Sequence, residues 1–198
     1  MADSLEKDKS EGKNDKGFLE QLALSYKYCV LKHPILTKSV TSAVIAGLGN
    51  YVSQRIEKRG KNVPIEYRPV LAFSGYGFFI SGPLIHYFYE YLEKFLPKST
   101  SYGKAKRLLV DRGVMSPLLL FIFFYVVAIM EGKSHKEAMM KIRQHYWTAL
   151  KMSWRVWILF QYFNLNYVPL QASLPSYRVL TGNVMSFLWS IYLASKRS

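Results

Sequence analysis

Five stretches of this chain contain no aspartate, glutamate, lysine or arginine: Ser39–Gln54, Pro69–Tyr89, Gly113–Met130, Val156–Tyr177 and Val179–Ser195, of 16, 21, 18, 22 and 17 residues. The 27 Lys and Arg and the 13 Asp and Glu crowd into what remains. A helix in water sets charges on its outer face at almost every turn. Uncharged runs near the bilayer length of about 20 residues therefore make lipid the expected solvent. A mean hydropathy near zero conceals this, because it averages apolar runs with basic loops.

The expected fold class is all-α: a polytopic integral membrane helix bundle with about four transmembrane helices, at 39–54, 69–89, 113–130 and 179–195, plus amphipathic or re-entrant segments. Residues 1–17 form a polar, mixed-charge tail with too little apolar surface to offset ordering, and are expected to be disordered. Residues 18–198 are expected to make one membrane-embedded helical domain. Phe18–Lys32 has the spacing of an interfacial amphipathic helix, broken at His33-Pro34, and Pro34 suits the first turn of the next helix.

Formal net charge is +14, and the tail before Gly17 has five acids against four lysines, so the basic excess belongs to the domain. Its basic residues are spread over every loop rather than gathered on one face, as expected of groups that flank spans and meet anionic headgroups. The expected partner is the lipid bilayer, and nucleic acid is not expected. Cys29 is the single cysteine, so no intrachain disulfide can form.

The first span divides into two faces at helical spacing. Ser39, Ser42, Ala43, Ala46, Gly47, Asn50, Ser53 and Gln54 share one, and Val40, Val44, Ile45, Leu48, Tyr51 and Val52 the other. The apolar face suits lipid. The small and polar face is a candidate for close helix packing or for lining a hydrated path, and both uses can coexist. In the second span Gly82-Pro83 predicts a kink, because proline removes a backbone bond and crowds the preceding turn. His86, one turn on, is expected to donate to a carbonyl that the kink frees. Asp111 and Arg112 stand at the mouth of the third span as a snorkelling pair or a functional one, and Pro117 follows. Ser134–Met152 reads as an amphipathic helix on the membrane surface. It leads into the stretch from Trp154 to Pro169, where Trp154, Trp157, Gln161 and Asn164 fall within a sector of about 80° on a helix. Buried amides need partners, so Gln161 and Asn164 are expected to bond to neighbouring helices, around Gly82-Pro83 and His86.

The chain has no HExxH, no phosphate-binding loop and no nucleophile elbow, and its four histidines lack metal-ligand spacing. No catalytic residue, cofactor or metal is expected, and the chain is expected not to be an enzyme.

Several motifs together resemble one family. Trp154-x-x-Trp157 is followed by Gln161, Asn164, Val168-Pro169, Arg178 and then Trp189-x-x-Tyr192-Leu193. Gly82-Pro83-x-x-His86-x-x-Tyr89-x-x-Leu92 and Lys106 to Asp111 with Pro117 stand in matching order. This pattern resembles the Mpv-seventeen and twenty-two-kilodalton peroxisomal membrane protein family, over nearly the whole chain after about residue 24. Ile158 stands where many members have proline, Arg112 where many have glutamine, and Ala172–Ser176 lengthens the segment before Arg178 by about five residues. The resemblance implies a pore-forming membrane protein, working as a homo-oligomer. Such a protein would give small hydrophilic metabolites passive passage across the peroxisomal membrane, or across the mitochondrial inner membrane as in some relatives. The alternative is a non-conducting structural or scaffold membrane protein.

Overall fold

The computed structural model describes residues 21, 24–96, 103–166 and 176–196, with the backbone alone at 104–105, 161–162, 164–166 and 176–180. The tail expected at 1–17 and the insertion at 172–175 lie outside the described residues.

All regular structure among the described residues is helical. Helix α1 covers 24–32. α2 (Pro34–Glu57) starts with Pro34 in its first turn, as expected. α3 (Tyr67–Tyr76) runs through a π-turn, Gly77–Ser81, into α4 (Gly82–Phe95). α5 (Gly103–Val110) runs through a second π-turn, Asp111–Met115, into α6 (Ser116–Met130). α7 (His135–Asn166) and α8 (Ser176–Ser195) complete the chain. At 1.5 Å per residue α2 is about 36 Å long and α8 about 30 Å, against a hydrocarbon core of about 30 Å. Among the described residues, Lys106–Met130 is the one helix both long and apolar enough to cross a membrane by length and composition alone. The expected spans at 39–54, 69–89 and 179–195 coincide with α2, α3 through α4, and α8; the polar faces of these helices lower their mean apolarity.

The two π-turns have one cause. Each immediately precedes a small residue followed by proline, Gly82-Pro83 and Ser116-Pro117. Proline cannot donate to the carbonyl one turn back, and its ring crowds that carbonyl. The backbone widens by one residue instead: Gly82 N–H donates to Gly77 O, and Ser116 N–H to Asp111 O. The backbone stays right-handed helical through both turns, so the kinks expected at Pro83 and Pro117 take the form of π-turns within continuous helices.

Two differences from the sequence expectation follow from packing. Ser134–Met152 and the Trp154 stretch are not a surface helix followed by a separate segment; α7 is one helix of 32 residues through both. Its N-terminal half is held down by core contacts, with Ala138, Ile142, Ala149 and Leu150 buried. The charge-free run 156–177 is not one element either, since α7 reaches Asn166 and α8 starts at Ser176.

α2 is the central helix, packed against α3, the first π-turn and α4 on one flank and against α8 on the other; α6 packs against α7. The aromatic core lies between α3 and α6: Phe123 meets Phe73 edge-on at 5.1 Å and Tyr76 at 5.2 Å, and Tyr76 Oη donates to Leu119 O at 3.1 Å. The outside is apolar. Leu36, Val40, Val44 and Leu48 of α2, Leu71 of α3, Phe79, Leu118 and Phe121 of α6, and Val184 and Leu188 of α8 are all exposed. In water each such side chain forgoes roughly 1.5–3 kcal/mol of burial. On the other side of α2, Ser39, Asn50, Ser53 and Gln54 are buried. Polar inside and apolar outside is the pattern of a bundle solvated by lipid.

Candidate functional site

The polar face of α2 is where the sequence reading placed its candidate residues, and the face splits along its length. In the C-terminal half it is closed by close approach of other helices. A Cβ at Gly47 would overlap Ser74 Oγ of α3, and one at Gly49 would come within 2.5 Å of Ser190 Cβ of α8. Asn50 and Gln54, one turn apart, bond to each other through Gln54 Nε2 and Asn50 Oδ1 (2.8 Å). Gln54 then closes onto the start of α3: its Nε2 donates to Glu66 O at 2.8 Å, and its Oε1 accepts from Glu66 N–H at 2.9 Å. Ser53 is buried beside them. Asn50 Nδ2 is buried without a partner among the described residues.

The N-terminal half packs on one side and opens on the other. Ser39 lies under Gly82, where a Cβ would come within 2.5 Å of Ser39 Cα. Gly77 sits against Ser42 and Ala43, where a Cβ would lie 2.6 Å from the Ser42 carbonyl oxygen. Beyond these contacts Lys38, Thr41, Ser42, Ile45 and Ala46 face a partly open cavity of about 380 Å³ between α2, α3 to α4, α6, α7 and α8. Ile45, expected on the lipid side, therefore lines the interior. The far wall is polar as well: Asn183, Ser186 and Ser190 recur along one face of α8, and Ser153 of α7 joins them. Ser190 Oγ also donates to Ala46 O at 3.1 Å, which ties α8 to α2. Phe73, Leu119 and Trp189 supply apolar walls. Trp189 stacks on Tyr192 at 5.0 Å.

Among the described residues, three charged side chains line this cavity: Lys38, Asp111 and Arg112. Arg112 Nη2 pairs with Asp111 Oδ2 at 2.9 Å, and Tyr89 Oη donates to Asp111 Oδ1 at 3.1 Å. Both side chains of the pair are largely withdrawn from the surface, so this is not a snorkelling pair reaching for water. The Arg112 guanidinium lies over the Trp157 ring, 5.6 Å from its centroid, a favourable cation–π placement.

Trp154 explains how the pair is held. Its Nε1 donates to Arg112 O at 2.9 Å. Across a π-turn the donor for that carbonyl would be residue 117, and Pro117 has no N–H. The indole supplies the missing proton. The carbonyl served here is the one that Pro117 frees; at Pro83, where His86 was expected to donate to a freed carbonyl, the structure gives His86 other partners. His86 instead accepts at Nδ1 from Lys38 Nζ (3.1 Å), and its Nε2 lies 3.7 Å from the Glu90 carboxylate.

Motifs scattered through the sequence converge here: Gly82-Pro83 and His86 from the second span, Asp111, Arg112 and Pro117 from the third, Trp154 and Trp157 from α7, and Trp189 from α8. The side chains of Gln161, Asn164 and Arg178, and the whole of Pro169, lie outside the described residues, so the expected amide bonds of Gln161 and Asn164 do too. The sequence reading gave no site role to Lys38, Ser153 or the Asn183–Ser186–Ser190 face, and took Tyr89 only as a motif residue. The spacing of the last three is a helical-face signal like that on α2, and it marks their shared wall. Gly49 was missed because one glycine gives no periodicity. Among the described residues, no cluster of three or more His, Cys, Asp or Glu could hold a metal ion.

An apolar exterior around an interior whose largely apolar wall carries a few hydroxyls and charges fits a helical-bundle integral membrane protein. Comparison with known proteins agrees. Residues 128–194 match the model of the Mpv17 / PMP22 family. Peroxisomal membrane protein 2 of Bos taurus is 38% identical over 184 residues, covering 90% of this chain and 91% of that protein. PXMP2/4 family protein 3 of Dictyostelium discoideum is 36% identical over 81% of this chain and 83% of its own length. The human Mitochondrial inner membrane protein Mpv17 is 29% identical over 87% of this chain and 95% of its own length. The chain belongs to the Mpv17 / PMP22 family. No solved structure matches it.

Proposed function

We propose that the protein is a pore-forming component of the peroxisomal membrane that gives small hydrophilic solutes passive passage, and that it acts as a passage rather than as a catalyst. The observation that carries this reading is the cavity of about 380 Å³ inside a lipid-facing bundle, lined by Lys38, Thr41, Ser42, Asp111, Arg112, Ser153, Asn183 and Ser186. A bundle that served packing alone would gain by filling such a space with apolar side chains. Hydroxyls and charges along the wall can replace part of a solute's hydration shell, and width with lining groups would set selectivity. The peroxisomal membrane is the location carried by the name of the bovine relative, and the mitochondrial inner membrane is the alternative carried by the human one. We take the working unit to be a homo-oligomer, as the family resemblance implies.

The test is a planar-bilayer recording of the purified protein, with chemical crosslinking to fix the number of copies. Unitary conductance that falls when Ser186 is replaced by leucine supports the passage. Silence in every oligomer preparation overturns it.

The second reading, a non-conducting structural membrane protein, is favoured by one observation: the C-terminal half of the α2 face is closed by Ser74, Ser190 and Glu66. Silent bilayers together with an intact oligomer would be its signature.

A further inference from the structure

We propose that the interior cavity is a binding site for one small anion, through its carboxylate or phosphate group, held between Lys38 and Arg112 in competition with Asp111. The proposal deepens the permeation reading and rests on it for the route by which a solute reaches the site.

The charge balance comes first. Among the described residues the charged lining is Lys38 and Arg112 against Asp111, an excess of one positive charge. In an interior of low dielectric an unmatched charge is costly, and it draws a counter-charge more strongly than it would in water. Lys38 has no carboxylate within ion-pair distance among the described residues, and its ammonium donates to the neutral acceptor His86 Nδ1. Glu90 lies on the far side of that ring, 3.7 Å from Nε2 and with its carboxylate well exposed.

The donor geometry comes second. A guanidinium presents five N–H donors in a planar fork. Arg112 uses Nη2 on Asp111, and its Nε is buried with no partner among the described residues. The Trp157 ring lies against the guanidinium, 5.6 Å from its carbon to the ring centroid, and the Trp154 bond to Arg112 O holds the backbone beneath it. A flat, bidentate anion is what such a fork accepts. Ser42, Ser116 and Ser186 stand around the same space as further hydroxyl donors.

Two sources could present this chemistry: a soluble metabolite carrying a carboxylate or phosphate, or the headgroup of an anionic lipid. The test uses the full chain in phosphatidylcholine nanodiscs, titrated calorimetrically with succinate and with inorganic phosphate at constant ionic strength. Saturable binding of at least one is expected. Lys38→Gln should weaken it about tenfold, the equivalent of losing one charge-assisted contact. Arg112→Lys should weaken it as well, since a point charge lacks the fork. Asp111→Asn should tighten it several-fold by removing the internal competitor, a change in the direction opposite to damage. Circular dichroism and a monodisperse elution profile establish that each variant is folded. Nanodiscs containing phosphatidylserine separate the sources: competition with succinate assigns the site to a headgroup, and unchanged affinity assigns it to a soluble anion. The absence of saturable binding in the unaltered protein overturns the proposal. So do folded Lys38→Gln and Asp111→Asn variants that titrate like the unaltered protein. Parallel bilayer recordings keep the two ideas apart: binding without conductance removes the pore and keeps the anion site, and conductance without binding does the reverse.

Discussion

In the C-terminal half of α2, Gly47 and Gly49 admit Ser74 and Ser190, and Gln54 bonds the backbone of Glu66 on both its N–H and C=O. In the N-terminal half Ser42 and Ala46 of the same face, with Thr41 beside them, look onto a cavity shared with Asp111, Arg112, Asn183 and Ser186. Residue types and spacing are alike in the two halves. What differs is the neighbours. Where small residues meet small residues the backbones close together and polar groups bond each other. Where the second π-turn and its ion pair stand opposite, the space stays open and polar groups face into it. A small-residue stripe is therefore a packing seam or a wall according to what stands opposite.

The contrast can be broken by substitution. The largest effect is expected from Gly49→Leu, which forces a side chain into Ser190. A loss of at least about 3 kcal/mol is expected, seen as aggregation or loss of the monodisperse peak in detergent. Next is Gln54→Leu, which removes three bonds and leaves Asn50 with no partner for its amide. About 2 kcal/mol of stability should go, with unitary conductance unchanged in the protein that folds. Trp154→Phe should cost about 1 kcal/mol by orphaning Arg112 O, and should also weaken anion binding, because the backbone beneath the fork loosens. Ser186→Leu, on the cavity wall, should leave the melting temperature nearly unchanged while lowering conductance several-fold. If Ser186→Leu unfolds the protein as Gly49→Leu does, the distinction between seam and wall fails.

The smallest effect lies outside both halves and sets their baseline. Ser134 and Glu137 form a capping box at the start of α7: Glu137 Oε2 accepts from Ser134 N–H at 2.7 Å and from Ser134 Oγ at 2.6 Å. These bonds hold the Glu137 carboxyl below its ordinary range, with Lys133 and Lys141 adding to them. A depressed carboxylate stabilises the fold above the usual carboxylate range, and that contribution is lost as pH falls through the lowered value. Ser134→Ala should therefore lower the melting temperature slightly at neutral pH and make no difference in strong acid. Conductance should be unaffected throughout.

Much of this architecture was legible in the residues. Four of the five charge-free runs fall within helices or helices joined by a π-turn, and the period of the first span separated Val40, Val44 and Leu48, which are exposed, from Ser39, Asn50 and Gln54, which are buried. Proline positions marked the places where the helix must depart from regular spacing. Three things were not legible. One was that Ser134–Met152 and the Trp154 stretch form a single helix, because a charged half and an apolar half have different local patterns. Another was the form of the two departures, π-turns rather than breaks, which depends on neighbours that hold both flanking helices in line. The third was the donor for Arg112 O, 42 residues away in the chain.

What the sequence by itself determined is the solvent, the helical class and the family, because uncharged length, period and motif order are properties of the chain read in one dimension. Which polar residues pack and which line a space was decided only by the tertiary structure. Lys38, Arg112 and Ser186 are ordinary in their own segments. They become a site when α2, the second π-turn and α8 bring a positive charge, a guanidinium fork and a hydroxyl to one cavity, because the energy of a buried charge depends on what surrounds it in space.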